Sequence, residues 1–151
     1  MSDKEFDSLL LENRKARHDY QILETFEVGI VLRGTEVKSC RMRKANINDA
    51  YAAFRGSELW LQQAQINEYT HGNRTNHDPK RSRKLLMHRH ELNKLLGRLQ
   101  TTETMVPLKM YIKNRKIKLL MGMAKGKKAH DKRQDLKKRE ADREMARAFR
   151  R

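Results

Sequence analysis

The feature that most constrains this chain is a pair of period-two runs. Val106, Leu108, Met110 and Ile112 alternate with other residues, Lys113 to Lys116 interrupt, and Ile117, Leu119, Met121 and Met123 alternate again. A period of two places every apolar side chain on one face of an extended strand, so the runs read as a hairpin with one buried face. The pattern stops at Ala124-Lys125-Gly126-Lys127-Lys128. Residues 124–151 hold twelve Lys or Arg against five acids, net +7, and beyond alanine their apolar content is Leu136, Met145 and Phe149. That is too little to bury for independent folding. The chain therefore divides into a folded body, residues 1–123, and a flexible basic tail, residues 124–151.

The net charge of +16 splits into +7 in the tail and +9 in the body, so both parts face an anionic partner. Neutralising closely spaced phosphates takes many cations at once and releases a counterion for each, which points to nucleic acid. A solvated tail kept for solubility is the bland alternative, and it leaves the charge on the body unexplained. No segment approaches the ~18 continuous apolar residues that span a bilayer, and the first residues lack a secretory signal's basic start and apolar stretch. The single cysteine, Cys40, has no internal disulfide partner. Its strand-like surroundings suggest a small buried hydrophobe in a reducing compartment. These features lead to the expectation of a soluble, cytoplasmic, monomeric protein that stays off membranes.

Along the chain, Phe6, Leu9, Leu10, Asn13, Ala16, Arg17 and Tyr20 fall three or four apart, which predicts a helix over residues 4–19. From Tyr20 the spacing becomes two, through Ile22, Phe26, Val28, Ile30 and Leu32, and Arg33-Gly34-Thr35 supplies a turn. Glu36 to Met42 reads as the returning strand, and Lys44 to Asp49 as a capped turn or loop. Tyr51 to Phe54 and Glu58 to Ile66 form a second hairpin. Residues 67–80 form a long loop, and Ser82 caps a helix bearing Leu85, Leu86, Leu92, Leu95, Leu96 and Leu99. With the C-terminal hairpin this makes six antiparallel strands. The fold expected is mainly β: an OB-like antiparallel six-stranded β-barrel with two or three flanking helices and the basic tail, closure removing exposed strand edges.

Among side chains able to do chemistry, His88 and His90 lie two apart in the expected helix, roughly 200° around its axis, and do not converge on one ion. His71, His77 and Asp78 share the long loop, which frames a metal-dependent nuclease as one alternative, without a third well-spaced His or a Cys cluster to support it. Cys40 has no nearby His, and neither Gly-x-Ser-x-Gly nor a phosphate-binding Gly-rich loop occurs. No catalytic residue, metal or cofactor is assigned, and an enzyme is not expected. Polyanion contacts have more support: Asn13 to Tyr20 mixes Arg and Lys with Asn and His, and Lys80 to Lys84 gathers four cations. Glu27 and Glu36 are acids in a basic body, suited to accepting from base amino groups or to pairing with Lys and Arg.

Seven strings occur in order: Asn13-Arg14-Lys15-Ala16-Arg17-His18-Asp19-Tyr20, Gly34-Thr35-Glu36-Val37-Lys38-Ser39, Lys44-Ala45-Asn46, Gly72-Asn73-Arg74-x-Asn76-His77-Asp78-Pro79, Arg83-Lys84-Leu85-Leu86, Pro107-Leu108-Lys109 and Ala124-Lys125-Gly126-Lys127-Lys128-x-His130-Asp131-Lys132-Arg133. Together they resemble the SmpB family, the SsrA-binding proteins of bacteria, over residues 13–151. The resemblance implies an OB-like barrel that binds the tRNA-like domain of transfer-messenger RNA (tmRNA) and brings it to stalled ribosomes for trans-translation. It implies an RNA-binding surface of Asn13, Arg14, Arg17, His18, Glu27, Glu36, Lys38, Lys44, Asn46, Lys84 and Leu85. It also implies a tail, disordered when free and helical on the ribosome, in which Gly126, Lys127, Lys128, His130, Asp131, Lys132 and Arg133 enter the empty messenger channel beyond the decoding centre of the 70S ribosome. Elongation factor Tu and alanyl-tRNA synthetase follow as indirect partners through tmRNA. A ribosomal or other rRNA-binding structural protein with a basic extension is the alternative reading. Arg43 and Arg115 stand where the family usually has Gly, so the turn at Lys113 to Lys116 is not expected to be of the tight primed type. Gln21 and Cys40 replace usual apolar residues.

Overall fold

The computed structural model describes residues 8–71, 76–99, 103–126, 139–141, 143 and 145. In chain order the elements are β1 (Ser8–Glu12), α1 (Arg14–Asp19), β2 (Tyr20–Ile30), α2 (Gly34–Arg41), β3 (Ala45–Asn46), β4 (Tyr51–Arg55), β5 (Glu58–Gln62), β6 (Gln65–Ile66), β7 (Arg83–Leu86), α3 (Arg89–Arg98), β8 (Glu103–Lys113) and β9 (Lys116–Gly126). Strands β8, β4, β5, β7, β2 and β9 follow one another, and β9 pairs back onto β8, which closes a ring of six antiparallel strands. Closure leaves the ring without a free edge. β1 lies along β8 beside β4, and β3 and β6 form a separate two-stranded ladder.

The barrel interior is filled by the alternating positions. Leu59, Leu61, Met105, Leu119, Met121 and Met123 are fully buried, with Val28, Leu85, Met110 and Leu95 around them. Strand β9 continues through Ala124 to Gly126, paired with Tyr20 to Ile22 of β2, so the folded body extends three residues past the point where alternation ends. Ala124 is buried in a second cluster with Ala16, Val106 and Leu108. A Cβ on Gly122 would stand 3.0 Å from Leu108 Cδ1 and 3.2 Å from Ile22 Cγ2.

The six-strand ring matches the expectation, but one member differs. Glu36 to Met42 is helix α2, and the place in the ring is taken by β7, read from sequence as the first turn of a helix. Helix α2 forms because the Glu36 carboxylate accepts from the Arg33 backbone N–H at 2.8 Å, satisfying an N-terminal donor. Glu36, Ser39 and Cys40, at helical spacing, are all buried. Strand β7 forms because Arg83 and Leu85 point inward while Leu86 is exposed, and α3 begins only after His88 at its N-cap. The predicted N-terminal helix is likewise replaced. β1 precedes a six-residue α1, and Asn13 separates them by accepting from the Ala16 N–H at 3.1 Å. Residues 1–7 lie outside the described residues. The predicted strand from Glu58 to Ile66 is split at Gln63, whose φ is 61°, into β5 and β6.

Both arginines at glycine-like positions adopt the left-handed backbone. Asn114 and Arg115 have φ of 51° and 65° between the paired residues Lys113 and Lys116, which is a two-residue turn of the primed kind, contrary to expectation. Arg43, with φ of 60°, follows α2. Its N–H donates to Cys40 O at 2.9 Å and the Lys44 N–H to Ser39 O at 3.0 Å, the Schellman arrangement.

Candidate nucleic-acid interface

Two clusters of charged side chains flank helix α2 and strand β2, and burial separates their roles. In the first, Glu36 and Arg83 are each 0% exposed. Arg83 donates from Nε to Glu36 at 2.6 Å, from Nη1 to the Ala64 and Arg81 carbonyls at 2.9 Å each, and from Nη2 to the Pro79 and Asp78 carbonyls at 3.1 and 3.5 Å. All five guanidinium N–H groups are engaged. Arg81 Nε reaches both Glu36 oxygens at 3.1 and 3.2 Å. Burial alone would raise the Glu36 pKa, but hydrogen bonds from Arg81, the Arg33 backbone and Arg83 hold it below the ordinary carboxylate value. The cluster ties α2 to the end of the long loop and to β7. Cys40, in α2 and not in a strand, lies next to it, and burial pushes its thiol up to about 12.

The loop histidines are committed elsewhere. His77 is buried; its Nε2–H donates to Ile66 O at 2.8 Å, since a carbonyl can only accept, and Nδ1 lies 2.9 Å from the Thr35 hydroxyl. His71 sits edge-on to Tyr69 with ring centroids 5.6 Å apart. His88 is the N-cap of α3, outside the helix, and its ring stacks on that of His90 with centroids 5.7 Å apart. Among the described residues, no three His, Cys, Asp or Glu side chains gather as a metal set.

In the second cluster Glu27 faces outward from β2. Its carboxylate accepts from the Tyr111 hydroxyl at 2.6 Å and from Lys113 Nζ at 3.2 Å, and 37% of its side chain is open to solvent. Desolvation opposes the charged form here, yet the hydrogen bonds from Tyr111 and Lys113 prevail and lower its pKa, while burial and Glu27 together raise that of Tyr111. Glu27 borders a groove of about 580 Å³ with Gly29, Leu86, His88, Glu91 and Lys118. Gly29 forms its floor: a Cβ there would stand 3.2 Å from Leu86 Cβ and 3.6 Å from Lys118 Nζ. Leu86 is 50% exposed at the lip. A mixed apolar and charged groove of this kind suits a base or ribose laid against the strand.

The other sequence-derived residues divide by exposure. Arg14, Arg17, Lys38, Lys44 and Asn46 are exposed, and His18 and Lys84 are half-buried. His18 Nδ1 lies 3.0 Å from Asp19, Lys84 is 3.5 Å from Glu58, and Arg14 is 3.9 Å from Glu12. Lys38 lies over the Tyr69 ring at 5.2 Å. Asn13, Glu36 and Leu85 are placed differently from a contact surface. Asn13 is 1% exposed and donates from Nδ2 to Pro107 O at 2.8 Å and Ile47 O at 3.2 Å; Leu85, 2% exposed, points into the barrel. Their side chains position the surface and do not line it. Gly126 ends β9, and Lys127, Lys128, His130, Asp131, Lys132 and Arg133 lie outside the described residues. Sequence reasoning missed Leu86, Lys118 and Gly29. The signal for Lys118 was its place between the inward Ile117 and Leu119; Leu86 carried none, because Leu85 and Leu86 read as one helical run.

A small closed β-barrel with a charged outer groove and a surplus of exposed cations defines a class: barrels built to hold a polyanion on their outer face. The chain belongs to the SmpB family, whose model matches residues 10–151. It is 54% identical to the SsrA-binding protein of Geobacillus sp. (strain WCH70) over 143 residues, 94% of this chain and 92% of the relative. It is 53% identical to that of Geobacter metallireducens over 145 residues, 95% of each. It is similar to a chain of a solved structure described as "tmRNA-SmpB: a journey to the center of the bacterial ribosome", with a TM-score of 0.66 and 53% identity over 79% of this chain and 85% of that one.

Proposed function

We propose that this chain binds tmRNA through its barrel and serves trans-translation, bringing that RNA to ribosomes stalled on messages without a stop codon. Family membership and the names of its relatives support the ligand, and the neighbouring structure supports the ribosome as the place of action. The observation that carries the reading on this chain is the open groove where Glu27, Leu86 and Lys118 meet. Arg14, Arg17, His18, Lys38, Lys44 and Asn46 supply phosphate and base-edge contacts elsewhere on the outer surface, and Lys84 does so beside Leu86. Asn13, Glu36 and Leu85 hold their elements in place.

The tail is the second part of the proposal. β9 ends at Gly126, so the point on the barrel to which the tail is joined is fixed. A short basic helix is marginal alone because nucleation is costly, and rRNA phosphates would order it inside a vacant messenger channel beyond the decoding centre. The tail would thus report the absence of messenger. No bond is made or broken by this chain; aminoacylation and delivery fall to alanyl-tRNA synthetase and elongation factor Tu acting on the RNA.

The test is to compare the full chain with residues 1–126 for affinity to a transcript of the tRNA-like domain and for peptide tagging in a reconstituted translation system. Truncation should leave affinity within about twofold and abolish tagging. Undiminished tagging would reject the role of the tail. Equal affinity for arbitrary transcripts at physiological salt would reject the role of the barrel.

A further inference from the structure

The single tryptophan of the chain lies on the outer face of the barrel, outside the groove. On β5, Trp60 faces Ala53 of β4 on one side and Lys84 of β7 on the other. The guanidinium carbon of Arg55 sits 5.2 Å from its ring centroid. Arg55 Nη2 donates to Ser82 Oγ at 3.1 Å, and the Ser82 hydroxyl donates to Gln62 Oε1 at 2.6 Å, so a chain of hydrogen bonds holds the guanidinium against the ring. Nearby, Arg89 opens α3 and donates to Ser57 O at 3.2 Å. Among the described residues, neither Arg55 nor Arg89 has a carboxylate partner, while Lys84 has Glu58. The Arg55 guanidinium on a half-buried indole, with Arg89 held at the neighbouring β4–β5 turn and neither paired with a carboxylate, is what a stacked base with its flanking phosphates requires.

This surface is continuous with the groove. A smaller depression of about 170 Å³, whose lining includes Ser57, Glu58, Lys84 and Arg89, shares Leu86 and Met87 with the Glu27 groove, and Lys84, the cross-strand neighbour of Trp60, leads from it to the indole. A strand of RNA laid in the groove and passing over Leu86 would next meet Arg89, Trp60 and Arg55. We propose that Arg55, Trp60 and Arg89 are the continuation of the RNA-binding face, Trp60 stacking on an unpaired nucleobase and the two arginines holding adjacent phosphates. The proposal rests on the reading that this chain binds RNA.

Because Trp60 is the only tryptophan, its emission reports on this spot alone. The full chain is titrated with a transcript of the tRNA-like domain of tmRNA, followed in parallel by mobility shift and by Trp60 fluorescence. Trp60 emission should be quenched with the midpoint of the mobility shift. Trp60→Leu should weaken binding about tenfold, while Trp60→Phe, which keeps a stacking face, should recover most of the loss. Arg55→Gln and Arg89→Gln should each lower the salt dependence of log affinity by about one unit. Thermal melts verify that the variants are folded. Full-strength binding with unquenched Trp60 emission and no loss in Trp60→Leu would overturn the proposal and leave the RNA reading standing. No binding by the intact chain would bring down both.

Discussion

Glu36 and Glu27 are both carboxylates with cationic partners and lowered pKa values, yet the regions around them do different work. Glu36 is enclosed with Arg81 and Arg83, and every donor of Arg83 is consumed inside the protein. Glu27 shares its charge with Tyr111 and Lys113 at the edge of a groove and keeps part of its surface open. The first arrangement has no capacity left for a ligand. The second does, because solvent can be exchanged for another donor without unfolding anything. Saturation of hydrogen-bonding capacity and exposure, and not residue type, mark which carboxylate can meet RNA.

The comparison breaks most visibly if Arg83 is removed. Arg83→Met leaves Glu36 buried with only Arg81 and a backbone N–H, and should cost about 3–5 kcal/mol, read by chemical denaturation. A loss below about 1 kcal/mol would mean that the cluster is not structural. Next in size is Glu27→Ala, expected to weaken binding of the tRNA-like transcript about tenfold while lowering stability by less than about 1 kcal/mol, as for exposed ion pairs. The reverse pattern, a large loss of stability with unchanged affinity, would erase the distinction between the two carboxylates.

Acid sharpens the same contrast. A carboxylate whose folded pKa is depressed adds stability that is fully present above its unfolded value and is lost as the pH falls through the folded value. The Glu36 contribution should therefore vanish on acidification below the ordinary value of 4.5. Glu36→Gln should have a shallower loss of stability across that window, measured by denaturation at a series of pH values, and an unchanged slope would deny Glu36 its part. The smallest effects concern backbone. Arg115→Gly and Arg43→Gly relieve left-handed strain of roughly 1–2 kcal/mol, partly offset by the greater freedom of glycine in the unfolded chain. Each should raise stability by less than about 1 kcal/mol, and a decrease would show that the arginine side chains contribute packing that outweighs the strain.

Legibility followed the reach of the interactions. β8, β9, β4 and the start of β5 were readable, because alternation and a short turn between neighbouring strands are local signals. Residues 36–42 read as a strand because they follow the turn-like Arg33-Gly34-Thr35, and the reason for burying Glu36 in a helix lies at Arg81 and Arg83, 45 and 47 residues away. β7 reads as helix in the sequence because its leucines continue into those of α3, and only pairing with β2 and β5 sets it apart. At the N-terminus, Leu9, Leu10 and Leu11 satisfy either periodicity, and pairing with β8 decides in favour of strand. Of the expected contact residues, the exposed cations were legible from type. The interior placing of Asn13, Glu36 and Leu85 was not, nor was the exposure of Leu86.

By itself, the sequence determined a barrel-forming alternation, an excess of positive charge on both body and tail, the single tryptophan and the ordered strings of the family. These are properties of residue order and need no partner in space. Which strand closes the ring, which carboxylate is sealed inside and which faces a groove, and where Trp60 meets Arg55 were decided only by tertiary structure. Such outcomes depend on contacts between residues distant in the chain, whose desolvation and hydrogen bonding exist only once the barrel has closed.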